Sequence, residues 1–375
     1  MKIGALQFKQ YAARKPITVS PTGEFLTARE VISTPSLAFG SLFTLAKDVQ
    51  LKLTLERYTL EPDFKLGIIG VGLLNKHDII EHLKAQTKFG QLALQAEMGY
   101  LSELVSTLTT GAVPAWPKVP KEPIPERPYW KPVKKCILLK VKTRAVFCEN
   151  TTDGVTGPIA KYRIANVHPV FQTRGFTVVA LTGVDDVRAN FVPQAKNGLT
   201  VYLSGVGHGA YNLYTGHWGD HILEVSKYDP AEVVGKAIHF LSCQTAAQLG
   251  PDTVAKGAKC YAGYTENFHL VWDDATTPVN EFLLFVRADS TFDIMMANGA
   301  TAQQAYDATV QAFNAAIGQV PNTAAATWLT YDRDHLKLLG APATTIWPYR
   351  YVKVCFPLVS LEKQNALVDA GELAD

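Results

Sequence analysis

Two short apolar runs each end in a side chain able to do chemistry. Val201 to Gly209 (VYLSGVGHG) ends in His208 and Gly209, and Ala237 to Gln244 (AIHFLSCQ) carries Cys243 behind Ser242. A thiol becomes a strong nucleophile once a nearby base takes its proton. An imidazole titrates where it can accept that proton and later return it to a leaving amine. Gly209, with no side chain, lets its backbone N–H approach an oxyanion closely, and with the N–H of Cys243 it makes a candidate oxyanion hole. The chemistry these residues suit is covalent acyl transfer. The competing view is that a lone cysteine in an apolar strand is a core residue and a lone histidine a satisfied polar one. Two reactive groups at two strand ends, with room for one connection between them, favour the catalytic view.

The elements that must position them follow from the pattern. Both runs are β-branched, aromatic and leucine-rich without polar alternation, as in strands buried on both faces of a parallel sheet. The carboxyl ends of such strands carry ligand-binding and reactive groups. A first strand is predicted over Lys135 to Val146 and on to Asn150, then a polar loop from Thr151 to Pro158 and a helix from Arg163 to Arg174. A strand over Phe176 to Thr182, a short helix over Asp185 to Lys196 and, after Cys243, a helix over Gly250 to Lys256 and a strand over Lys259 to Tyr264 complete the alternation. Helices are expected over Asn280 to Met296 and Thr301 to Ile317, the second opened by a Thr301–Gln304 capping box. Leu329 to Leu339 and Thr344 to Trp347 read as a return to the sheet. Alternating strands and helices argue for an α/β fold with a parallel sheet covered on both faces.

A strand ending in His-Gly followed by one ending in Ser-Cys resembles the signature of the caspase-like peptidases of clan CD. FLSCQTA at Phe240 to Ala246, LGPDTVAKGAKCYAGYTENF at Leu249 to Phe268, NGATAQQAY at Asn298 to Tyr306 and LTYDRDHLKLLGAP at Leu329 to Pro342 are similar to the gingipain and CHAT branch, over roughly Lys135 to Ile346. The resemblance implies a caspase-like three-layer sandwich with a mainly parallel sheet, preceded by a smaller α+β N-terminal domain. It also implies a cysteine endopeptidase with Cys243 as nucleophile and His208 as base, and Glu149 as a specificity residue. The acid that metacaspases carry before Ser-Cys is absent, since Leu241 stands there. No third catalytic side chain is evident. Asp273 and Asp274, in the loop Glu266 to Pro278, are further acids able to receive a Lys or Arg side chain at the P1 position. A catalytically silent interaction protein on the same fold, or another thiol acyl-transfer enzyme, are the alternatives.

The rest of the chain sets the context. Residues 1–110 read as an α+β N-terminal domain that matches no named family and could receive a regulatory partner. It contains an alternating run, Val49 to Leu55, read as a strand, and a helical pattern from an Asn75 N-cap to about Leu108. The GVG within Lys65 to Leu74 lacks the third glycine of a dinucleotide fingerprint, because Asn75 stands there. Residues 111–134 form a proline-rich linker, with seven prolines between Pro114 and Pro132, and 135–375 the peptidase domain. HWGDH at His217 to His221 invites a zinc reading, but Gly216 and Gly219 break the helix it needs, so a loop beside the site is expected, with His217 and His221 as alternative bases. No cofactor or metal is expected. The net charge of +2 in 375 residues, with no basic block, asks for neither nucleic acid nor membrane as partner, which leaves a protein or peptide substrate. Five scattered cysteines and an N-terminus without a signal-like apolar run fit the cytoplasm.

Overall fold

A computed structural model describes residues 2–3, 6–38, 42–110, 136–272 and 280–355. The linker 111–134 and the loop acids Asp273 and Asp274 lie outside these residues.

The N-terminal part holds helix α1 (Lys47–Leu60) and a hairpin of β1 (Lys65–Ile68) and β2 (Gly72–Asn75). Helices α2 (Lys76–Lys84) and α3 (Lys88–Thr110) follow. Val49 to Leu55 is thus helical, not a strand. Its alternation is too short to outweigh fourteen residues without glycine or proline, and the buried positions Gln50, Leu53, Thr54, Arg57 and Tyr58 keep the helical period. The GVG region is the hairpin turn, with Gly70 and Gly72 at positive φ. Asn75 and Asp78 form the expected reciprocal cap of α2. The single helix expected to Leu108 is broken at Gln86, whose φ is 51°.

The part after the linker contains β3 (Arg144–Glu149), α4 (Thr156–Asn166), β4 (Thr177–Thr182), β5 (Thr200–Val206) and β6 (Ala237–Leu241). It continues with β7 (Cys260–Tyr264), β8 (His269–Trp272), α5 (Glu281–Ala297), α6 (Ala302–Gln319), α7 (Ala324–His335) and β9 (Leu336–Gly340). Six strands form one sheet in the order β9-β7-β6-β5-β3-β4, parallel except for β9. Successive residues of each central strand enter opposite cores. Val146, Cys148, Leu203, Ile238, Phe240 and Tyr261 pack on one face, and Ala145, Phe147, Tyr202, Ala237 and Cys260 on the other. That is why these strands read as continuous apolar runs. Leu329 to His335 is the end of α7, capped at Thr323, and only Leu336 to Gly340 joins the sheet.

The first 110 residues do not pack as a core of their own. β1 pairs antiparallel with β8, giving a second sheet in the order β8-β1-β2. Leu53, Leu66, Leu83 and Met98 share one apolar core with Phe268, Phe285 and Trp328. Buried Arg57 bonds Glu97, the Pro16 carbonyl and Asn322, so one guanidinium ties α1 and α3 to the turn before α7. No helix among the described residues is long and apolar enough to cross a membrane.

Candidate active site

β5 and β6 run parallel with Val206 opposite Leu241. Residues two places further on, His208 and Cys243, therefore leave the sheet at one rim. β3 ends at the same level, with Glu149 opposite Val206, so the loop before α4 starts there too. This loop supplies a residue that sequence reasoning missed. Asp153 lies 2.9 Å from His208 Nε2 through Oδ2. Its Oδ1 accepts the backbone N–H groups of Val155 and Thr156 at 2.7 and 2.9 Å, and its Oδ2 also accepts the Thr156 hydroxyl. Burial alone raises this carboxyl's pKa. The His208 bond and those from Thr156 and Val155 outweigh it and hold the group well below the usual carboxylate range. In the sequence Asp153 falls inside the polar loop Thr151 to Pro158, with the helix expected only from Arg163, and nothing local marks His208 as its partner.

A carboxylate on Nε2 assigns the ring proton to that nitrogen and leaves Nδ1 as the acceptor. Nδ1 is buried and without a hydrogen-bond partner. Cys243 is 1% exposed. Its Sγ donates to the Ile69 carbonyl at 2.7 Å and accepts the Phe268 N–H at 3.3 Å. Burial pushes the thiol far up, well beyond what the Phe268 N–H takes back, and Asp332 adds a smaller push in the same direction as burial. The sulfur is therefore held as a thiol here, on the hairpin tip. Gly209 packs so tightly on the Cys243 turn that a Cβ there would come 2.2 Å from Ser242 Oγ and 2.7 Å from the Cys243 carbonyl oxygen. Only glycine permits that approach.

The other expected site residues fare differently. Glu149 is fully buried, with both oxygens 3.1 Å from Arg163 Nε and Oε1 3.0 Å from His168 Nε2. Its carboxylate is already neutralised inside the fold, which removes it as a residue that meets a substrate. His221 bonds Glu224, and His217 begins a short turn between two strands (Leu213–Thr215 and His221–Glu224). His239, Asp289 and Asp293 bring ligand atoms within 4.8 Å of one another. Arg163 Nη1 sits 2.8 Å from Asp293 and 3.7 Å from Asp289, so a guanidinium already supplies the cation.

The mostly parallel, helix-covered sheet makes this a mixed α/β chain, with a histidine and a cysteine at one rim of the sheet. Two solved structures are similar to it. They are the Arg-specific cysteine proteinase gingipain R (RGPB) and a complex of Porphyromonas gingivalis RgpB pro- and mature domains. Identity is 10% in both cases, with TM-scores of 0.37 and 0.36, over 55% of this chain and 48% of theirs. The chain thus spans about half the length of the structures it matches. No family model matches, and no curated protein does.

Proposed function

We propose that this chain is a cysteine peptidase in which Cys243 is the nucleophile, His208 the general base and then acid, and Asp153 the residue that orients His208. The observation that carries this reading is the shared rim: His208 Nδ1, freed by the Nε2–Asp153 contact, and Cys243 Sγ both face the Ile69–Gly70 dipeptide. Nδ1 takes the thiol proton, and Sγ bonds to the carbonyl carbon of the scissile peptide. The negative oxygen is received by the N–H groups of Gly209 and Cys243. As the C–N bond breaks, the imidazolium returns its proton to the leaving amine, and water then hydrolyses the thioester by the reverse transfer.

A preference for Lys or Arg at P1 rests on Asp273 and Asp274, since Glu149 is consumed by Arg163 and His168. The substrate is a protein or peptide. The free thiols of Cys148, Cys243 and Cys260 support a reducing cytoplasmic setting. One observation favours the second reading, a catalytically silent relative, namely the buried thiol of Cys243. Labelling with a peptidyl acyloxymethyl ketone and hydrolysis of a peptide library separate the two. Turnover lost in both Cys243→Ala and His208→Ala is the expected result. Ketone labelling that is equal with and without the His208→Ala change, with no hydrolysis in either even when Cys243 is freed from its cover, refutes the peptidase.

A further inference from the structure

Resting on that reading, we infer that the β1–β2 hairpin is an internal pseudosubstrate: it lies along β8 as an added antiparallel strand, sets the Ile69–Gly70 peptide on the reactive pair, and keeps the enzyme latent until it lifts.

The geometry is that of a peptide bound by strand addition. Lys65, Leu66, Gly67 and Ile68 pair with Trp272, Val271, Leu270 and His269, and the Ile69 N–H donates to the Phe268 carbonyl at 3.2 Å. Phe268 joins the strand to the nucleophile, because its own N–H donates to Cys243 Sγ. A chain laid antiparallel on β8 is thereby led to the sulfur, and the Ile69 carbonyl arrives there at 2.7 Å. A Cβ at the next residue, Gly70, would lie 3.9 Å from His208 Nδ1. The fit extends to side chains. A Cβ at Gly67 would meet the Trp272 ring at 2.0 Å, so the indole, stacked on Phe282, lies directly over that glycine. Ile69 itself is 1% exposed.

Three features explain why this occupant is held and not cut. Sγ meets the carbonyl oxygen as a donor, not the carbon as a thiolate. Burial keeps the thiol protonated. The chain also doubles back at once, with the Val71 N–H on the Ile68 carbonyl at 3.0 Å, so the residues after Gly70 return beside β1 instead of leaving the site. Removal is equally provided for. β2 is the outer strand of its sheet, and Val71 and Leu73 are exposed. A two-stranded hairpin at the edge of a sheet is a local opening unit, and lifting it withdraws Leu66, Ile68 and Ile69 from the shared core.

The test uses the full chain. Iodoacetamide labelling of Cys243 is followed by mass spectrometry in wild type, Ile69→Asp and Gly67→Val, with Cys243→Ala as blank and melting curves for each. Folded variants are expected to label at least about tenfold faster than wild type. Hydrogen exchange on the wild type provides a reading without mutation: after covalent reaction with a peptidyl ketone, residues 65–75 should lose protection while 269–272 keep it. Wild-type labelling at the rate of an open thiol, folded variants that label no faster, unchanged exchange at 65–75, or a chain cut between Ile69 and Gly70 each overturns the inference. Faster labelling without peptide hydrolysis in the opened variants upholds the hairpin's role and removes the peptidase. Hydrolysis by wild type with the hairpin still protected does the opposite.

Discussion

Replacing Asp153 by asparagine alters one bond at the centre of the site. Oδ2, which accepts the His208 Nε2–H, becomes an amide nitrogen that donates, while Oδ1 still accepts from Val155 and Thr156. The imidazole must then carry its proton on Nδ1, the nitrogen facing the nucleophile, or give up the partner. A hydrogen bond to a charged group contributes roughly 1.5–3 kcal/mol, and an exposed ion pair about 0–1. The side chains of His208 and Asp153 are 33% and 31% exposed, so solvent screens the pair and about 1.5 kcal/mol is the reasonable middle. With the wrong tautomer added, kcat/KM falls about tenfold to a hundredfold. The assay is hydrolysis of a fluorogenic peptide by Asp153→Asn and Asp153→Ala in the same hairpin-opened background, beside their melting temperatures. Alanine should lose a further ~1 kcal/mol of stability, because it also removes the α4 cap. The pH dependence has a definite sign. A carboxyl depressed in the folded state contributes stability above its unfolded pKa of about 4, and that contribution is lost as pH falls through the lower folded value. Asp153→Asn should therefore lack that acid limb. Wild-type kcat/KM in the asparagine variant would reduce Asp153 to a helix cap.

Two other substitutions test neighbouring steps. Gly209→Ala should cost about 1–3 kcal/mol by overpacking and lower peptide hydrolysis at least about tenfold, with partial recovery of the melting temperature on adding Ser242→Gly; an unshifted melting curve contradicts the close approach. Asp186 is buried with only the weakly donating Cys148 thiol beside it, and burial with the nearby Glu149 pushes its carboxyl up to about 8. For a raised acid the stability is present below the unfolded pKa and lost as pH rises toward 8. Asp186→Asn should therefore stabilise the fold by about 1–3 kcal/mol at pH 8.5 and by less at pH 5, as read by urea melts at both values.

The six-stranded sheet was legible because burial on both faces leaves a plain trace. VYLSGV and AIHFL could be little other than central strands, and their ends named His208, Gly209 and Cys243. Asp153 was not legible, since it falls in the polar loop Thr151 to Pro158 well ahead of the helix expected from Arg163, and its partner His208 is over fifty residues away. Glu149 was misread because sequence places it at the rim level but gives no sign that Arg163, fourteen residues on, reaches back to it. Val49 to Leu55 failed for another reason: seven alternating residues fit either period, and the deciding contacts of Arg57 and Tyr58 lie beyond them. The pairing of β1 with β8, some two hundred residues apart, has no local trace at all. The hairpin's place on Cys243 was therefore unreadable, although its glycine turn was visible.

These non-local contacts divide the site into a fixed base and a removable cover. Arg163 on α4 bonds Glu149 of β3, Ser204 of β5 and Asp293 of α5, and Asp293 in turn bonds Tyr202 and His239. One guanidinium thus joins two helices to the central strands. Asp153, three residues ahead of α4, inherits that placement, and so does the His208 ring it holds. Breaking such a fully buried ion network by removing one partner is costly, so the base should move little. The cover has the opposite construction. Its anchors, α1 to α3, are buried against α7 and β8, and β1 meets the base through a strand's hydrogen bonds, one thiol contact, the Trp272 indole over Gly67 and the buried side chains of Leu66, Ile68 and Ile69. On the proposed reading, a site built this way exposes Cys243 without disturbing the His208–Asp153 pair, and the burial of Cys243 is then set by the hairpin that carries Ile69.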